Sequence, residues 1–151
     1  MKLSTKGRYW LRALIDLAIF SETEAVSISS IAARQGISES YLEQLMGKMR
    51  KAGLITSIRG AQGGYRLAKD AADISVGDIL RALEGNLDAV ECPGLTETGC
   101  EGADICVTKY VWQRINESIT KAVDDVKLDQ LAAESRKEPE KSGWGVEKGE
   151  N

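Results

Sequence analysis

ISSIAARQGISESYLEQLMGKMRKAG, residues 28–53, holds two apolar stripes at helical spacing with one glycine between them. Ile28, Ile31 and Ala32 form the first stripe, and Ser27 ahead of it predicts an N-terminal cap. Gly36 is the stop, because glycine takes the left-handed conformation that ends helices at no Cβ cost. Leu42, Leu45, Met46 and Met49 form the second stripe, and Gly53 closes it. Ser38 or Ser40 opens this second helix, which is expected to run to about Ala52. Ser40-Tyr41-Leu42-Glu43 has the Ser-x-x-Glu pattern of a capping box. A short helix, a tight turn and a longer helix make a helix-turn-helix.

The flanks extend this plan. Upstream, Leu11, Leu14, Ile15 and Ala18 predict a helix from about Lys6 to Phe20, with Ser4 or Thr5 as its cap. Lys6, Arg8 and Arg12 place positive charge where the helix dipole is already positive, so an external anion is expected to offset it. Downstream the period changes. Leu54–Arg59 reads as a strand, Gly60–Gly64 as a turn and Tyr65–Ala68 as the returning strand. Ser75 then caps a fourth helix whose apolar face is Val76, Ile79, Leu80 and Leu83.

Residues 85–105 have no period and read as a long loop, a length that usually serves a function. A last long helix is expected from about Cys106 to Val126, with Val111, Ile115, Ile119, Ala122 and Val126 on one face. A one-sided stripe that follows a complete domain must be covered, most simply by a second copy of the chain. Leu128–Ala133 predicts a further turn, and the Lys/Glu/Gly-rich end from Glu134 is expected to be disordered. The expected fold class is therefore mainly α with a small β-hairpin: a winged helix-turn-helix DNA-binding domain plus a long C-terminal dimerisation helix. Its parts are the winged domain (1–84), a loop suited to a cofactor (85–105), the dimerisation helix and end segment (106–133) and a tail (134–151).

Charge supports a nucleic-acid partner, although the 151-residue chain carries a net charge of −3. Residues 1–69 hold 11 Lys/Arg against 5 Asp/Glu, and the remainder hold 9 against 18. A basic half that attracts phosphate is joined to an acidic half. The helix after the turn would enter a major groove. Ser38, Ser40, Tyr41, Glu43 and Gln44 lie at its start, and Lys48 and Arg50 near its end would meet the flanking backbone. Arg59 at the hairpin tip suits a minor groove, where Arg is electrostatically favoured. Glu43 can accept from cytosine N4, or it can serve only as the capping partner of Ser40. No run is long and apolar enough for a membrane span, and a cytoplasmic location is expected. With no His, no nucleophile–base pair, no phosphate-binding loop and no Cys-x-x-Cys, enzymatic chemistry is not expected.

The three cysteines, Cys92, Cys100 and Cys106, fall within one Gly-containing stretch. Zinc knuckles use closer Cys pairs, whereas iron–sulfur clusters tolerate looser spacing. Three thiolates leave one coordination position for another group.

Leu3–Tyr9, Ile31–Ser38, Tyr41–Leu45 and Ser57–Tyr65 resemble the Rrf2 family of bacterial regulators, and within it the IscR-like iron–sulfur cluster regulators. The resemblance covers about residues 1–130. It implies a homodimer whose long C-terminal helices cross. It implies a 2Fe-2S cluster held by Cys92, Cys100 and Cys106. It also implies DNA contacts by Ser40, Tyr41, Glu43, Gln44 and Arg59, with Glu43 helping to distinguish promoter classes. Two features depart from the family: the first two cysteines are further apart, and Lys109 stands where a His ligand is expected. A Lys amine is normally protonated and a poor ligand. The fourth position is open to Asp104, Glu101, Glu91, a water or a partner-chain residue. A nitric-oxide or thiol-redox-sensing repressor of the same family, and an iron–sulfur carrier or redox protein, are the alternatives.

Overall fold

The computed structural model describes residues 4–90 and 106–137. Among these residues six α-helices, one hairpin and a short 3-10 turn (Ala71–Asp73, before α4) follow one another: α1 (Thr5–Phe20), α2 (Ile28–Gln35), α3 (Glu39–Lys51), β1 (Ile55–Ile58), β2 (Gly64–Leu67), α4 (Val76–Glu84), α5 (Lys109–Asp124) and α6 (Leu128–Lys137). The fold is the mainly helical winged helix-turn-helix that the sequence predicts.

Each stripe goes where its spacing sends it. Leu14, Ile15 and Ala18 of α1, Ile31 and Ala32 of α2, and Leu42, Leu45, Met46 and Met49 of α3 share one buried cluster. Ile55, Ile74 and Ile79 close it from the hairpin and α4. Gly36 adopts φ 66 and ψ 34, the left-handed conformation that ends α2 and turns the chain into α3. Ser38, not Ser40, caps α3: its side chain accepts from the Tyr41 N–H at 3.2 Å. Ser40 therefore lies inside the first turn, and Glu43 is not the partner of a Ser40 cap.

The hairpin is antiparallel, with Ile55 opposite Leu67 and Ile58 opposite Gly64. The returning strand thus starts one residue earlier than expected. Val26 pairs with Tyr65 and gives the wing a third, one-residue edge. This explains Gly64, whose φ is 153: a Cβ there would strike the Val26 carbonyl.

The N-terminus of α1 is joined to the end of α4. Ser4 caps the helix and donates to Glu84 at 2.7 Å. Ser75 and Asp78 form a reciprocal capping box at α4.

Two features differ from expectation at the C-terminal end. Cys106 lies before α5, which begins at Lys109. α6 continues to Lys137, past Glu134, and packs on α1. Leu128 and Ala132 are buried in the main cluster. Backbone bonds Val76 N–H to Val126 and Leu128 N–H to Ile74, both 2.9 Å, tie the α5–α6 junction to the start of α4. The rest of the tail lies outside the described residues.

Candidate nucleic-acid interface and sensor region

α3 presents two chemically distinct faces. Leu42, Leu45, Met46 and Met49 are buried, while Ser38, Ser40, Glu43, Gln44, Lys48 and Arg50 are exposed. Residues three and four apart share a helix face, so Ser40, Glu43, Gln44, Lys48 and Lys51 line up along the side opposite the core. Lys48, Arg50 and Lys51 sit in the last turn, where the helix dipole favours cations. Arg50 also reaches Ser57 of β1 at 3.4 Å, and Arg59 is exposed just beyond that strand. Tyr41 is partly committed to packing: its ring meets Tyr9 edge-on, with centroids 5.7 Å apart.

A polar network braces this unit. Asp16 has only 1% of its side chain exposed and takes a bidentate pair of 2.8 Å bonds from Arg34. Gln35 donates to the same carboxylate at 3.0 Å. Arg12 donates to the Gln35 side chain and backbone at 3.2 and 3.1 Å. The Asp16 bond holds Arg34 further toward its charged form. These groups join α1 to α2, the helix that precedes α3. The sequence did not reveal this bracing, although a carboxylate inside the apolar run Ala13–Phe20 was the available signal.

α5 is unlike the other helices. None of its 16 residues is buried. Tyr110 is 61% exposed, Val111 51% and Ile115 38%, and Val107 just before the helix is 72% exposed. Its other side is fastened to α4. Asp124 accepts from Arg81 at 2.6 and 3.3 Å. Asn116 bonds the backbone of Ala89 and Val90.

Cys106 is exposed and has no disulfide partner among the described residues. Its thiol is pulled below its usual range by the Thr108 hydroxyl, 2.9 Å away, then by the N–H groups of Thr108 and Lys109 and the Lys109 charge. Thiolate is the form that ligates iron, so Cys106 fits a cluster ligand. Lys109 Nζ lies 5.3 Å from the centroid of the Tyr110 ring, a cation–π arrangement. Cys92, Cys100, Glu91, Glu101 and Asp104 lie outside the described residues. Among the described residues no group of three His, Cys, Asp or Glu side chains is placed to hold a metal. No described helix is long and apolar enough to cross a membrane.

A supporting helix, a recognition helix with a polar outer face and a basic wing define a winged helix-turn-helix, DNA-binding regulator. Residues 3–134 match the Rrf2 family, described as an iron-dependent transcriptional regulator, and the chain belongs to that family. It is similar to the HTH-type transcriptional regulator IscR of Klebsiella pneumoniae (strain 342), with 44% identity over 131 residues, covering 87% of this chain and 79% of the relative. IscR of Escherichia coli O1:K1 is 43% identical, at 87% and 80% coverage. Among solved structures, that of T. potens IscR superposes with a TM-score of 0.68 at 47% identity, covering 87% of this chain and 86% of that one. CymR, the global cysteine regulator of B. subtilis, superposes with a TM-score of 0.73 at 41% identity, covering 88% and 97%. The chain is a DNA-binding transcription regulator and not an enzyme, which sets aside the carrier and redox-protein alternative.

Proposed function

We propose that this regulator acts in the cytoplasm as a homodimer and reports iron–sulfur status through a 2Fe-2S cluster held by Cys92, Cys100 and Cys106. The observation that carries the reading is the pairing of a bare apolar stripe on α5 with a thiolate-prone cysteine three residues before that helix. In this arrangement residues 1–84 are the reading unit, 85–105 the sensor loop and 106–133 the dimerisation segment, with α6 folded back as a brace.

Val107, Val111 and Ile115 meet their copies across the two-fold axis, leaving each α3 free for a half-site. Ser38, Ser40, Tyr41, Glu43 and Gln44 then address base edges and nearby phosphates. Lys48 and Arg50 hold the flanking backbone, and Arg59 enters the minor groove. When bound, the cluster supplies a redox-sensitive and removable cross-link among the three thiolates. Cys106 holds its share from just ahead of α5. Asp124–Arg81 and the Val126–Val76 pairing carry any shift of α5 into α4 and the DNA-binding unit. Occupancy changes DNA affinity only through such a difference between two arrangements. The fourth ligand comes from Asp104, Glu101, Glu91, water or the partner chain, with Lys109 a counter-charge rather than a ligand.

Protein purified without oxygen is expected to absorb visible light and to carry two irons and two sulfides per cluster. Its mobility shift on promoter DNA should change when the cluster is removed. Colourless, iron-free protein that still switches would overturn the cluster reading. In that case a disulfide or nitrosyl adduct at the exposed Cys106 would identify the thiol-sensing alternative.

A further inference from the structure

We infer that Asn116 is the positioning residue that clamps the entry of the cysteine loop onto the dimerisation helix and so sets how tightly the cluster is held; this rests on the cluster reading above. The Asn116 carboxamide makes three bonds to the backbone of two successive residues. Its Oδ1 accepts from the Ala89 N–H at 2.9 Å and the Val90 N–H at 3.4 Å, and its Nδ2 donates to the Val90 carbonyl at 3.1 Å. Residues 89–90 belong to no helix or strand, so these partly buried backbone groups rely on the side chain for the bonds that secondary structure supplies elsewhere.

The placement matters more than the bonds themselves. Val90 is two residues before Cys92, and Cys106 is three residues before α5. Asn116 lies seven residues into α5 from Lys109, about 10 Å along its axis at 1.5 Å per residue. One rigid helix therefore fixes both ends of the cysteine-bearing segment: covalently at Cys106 and by the carboxamide at Val90. Buried Leu87, 3% exposed, anchors the approach from α4. Holding both ends reduces the chain entropy that ligand convergence must overcome. It also makes the dimer helix respond to whatever happens at the cysteines.

The test compares full-length wild type, Asn116→Ala and Asn116→Asp, purified without oxygen. Iron and sulfide content, the rate of cluster loss to an iron chelator, and amide exchange at Ala89 and Val90 in cluster-free protein are measured. Asn116→Ala is expected to deprotect both amides and to release iron about tenfold faster or more, the scale typical of outer-shell partners, with dimer mass unchanged. Asn116→Asp keeps the acceptor for both N–H groups and loses the donor to Val90. It should protect the amides and release iron at an intermediate rate. A loaded wild type with Asn116→Ala releasing iron at the same rate overturns the inference and leaves the cluster reading standing. An iron-free wild type overturns both. Should Asn116→Ala lose protection throughout the chain, Asn116→Asp decides: release at the wild-type rate overturns the inference.

Discussion

α3 and α5 carry apolar stripes of similar spacing, yet they end in opposite places. The stripe of α3 is finished inside the chain: Leu42, Leu45, Met46 and Met49 are each at most 2% exposed. The stripe of α5 is unfinished, with no residue of the helix buried. Periodicity alone marks which side of a helix is apolar; what covers that side depends on the elements already placed. α1, α2 and β1 pack on α3, whereas α5 runs outside the core that α6 rejoins through Leu128 and Ala132, and only its opposite side is fastened.

Substitutions can separate the finished region from the unfinished one. The largest effect is expected in the finished region. Asp16→Ala leaves Arg34 and Gln35 without their buried acceptor, which should cost about 3 kcal/mol. Thermal unfolding should show this as a Tm lower by roughly 10 °C; an unchanged Tm would deny the bracing role. In the unfinished region, Ile115→Asp should leave the fold of one chain intact because the site is exposed there. Dimer mass should be lost, and operator affinity should fall roughly 100-fold as one half-site is forfeited.

A smaller effect is expected at the joint between the two regions. A Cβ at Gly77 would collide with the Asp124 carboxylate and push it off Arg81. The loss of about 1–3 kcal/mol is partly offset by a helix-propensity gain of about 0.5–1 kcal/mol. Gly77→Ala should therefore destabilise by about 1 kcal/mol, while Gly47→Ala, with open space around its Cβ, should stabilise. Denaturant midpoints compare the two.

The smallest effect concerns acid. Asp78 is held below the ordinary carboxylate value of 3.8, first by the Ser75 N–H, then by the Ser75 hydroxyl and Arg81. A lowered folded-state value stabilises fully above the unfolded value and is lost as pH falls through the folded one. Asp78→Asn should therefore cost under about 1 kcal/mol at neutral pH, as expected for an exposed group. The difference from wild type should shrink as pH falls below 3.8 and vanish once Asp78 is protonated in the folded protein. A gap that persisted in acid would point to packing instead.

Much of this molecule was legible because its signals are local. The stripes of α1 to α4, Gly36 and the Ser75–Asp78 box are each read within a few neighbouring residues. Ser38 and Ser40 both offered a hydroxyl at the right place, and only the packed register of α3 chose between them. Pairings distant in sequence left no such trace: Asp16 with Arg34, Asp124 with Arg81 and Asn116 with Val90 need the fold to bring them together. α6 was underestimated because its last residues, from Glu134, open the Lys/Glu/Gly-rich end of the sequence, which hides the 4–3 spacing of Leu128, Ala132 and Ser135, the residues it buries. Cys106 was expected to begin the last helix, whereas the helix begins at Lys109 and points its first N–H groups back at the sulfur.

The most direct test of the account is the mass of the wild-type chain in solution, by sedimentation equilibrium at micromolar concentration, with and without iron. Two chains per particle in both conditions, reduced to one by Ile115→Asp, is the predicted result. A wild-type monomer, or an Ile115→Asp dimer as tight as wild type, would contradict the assignment of the α5 stripe to a second copy.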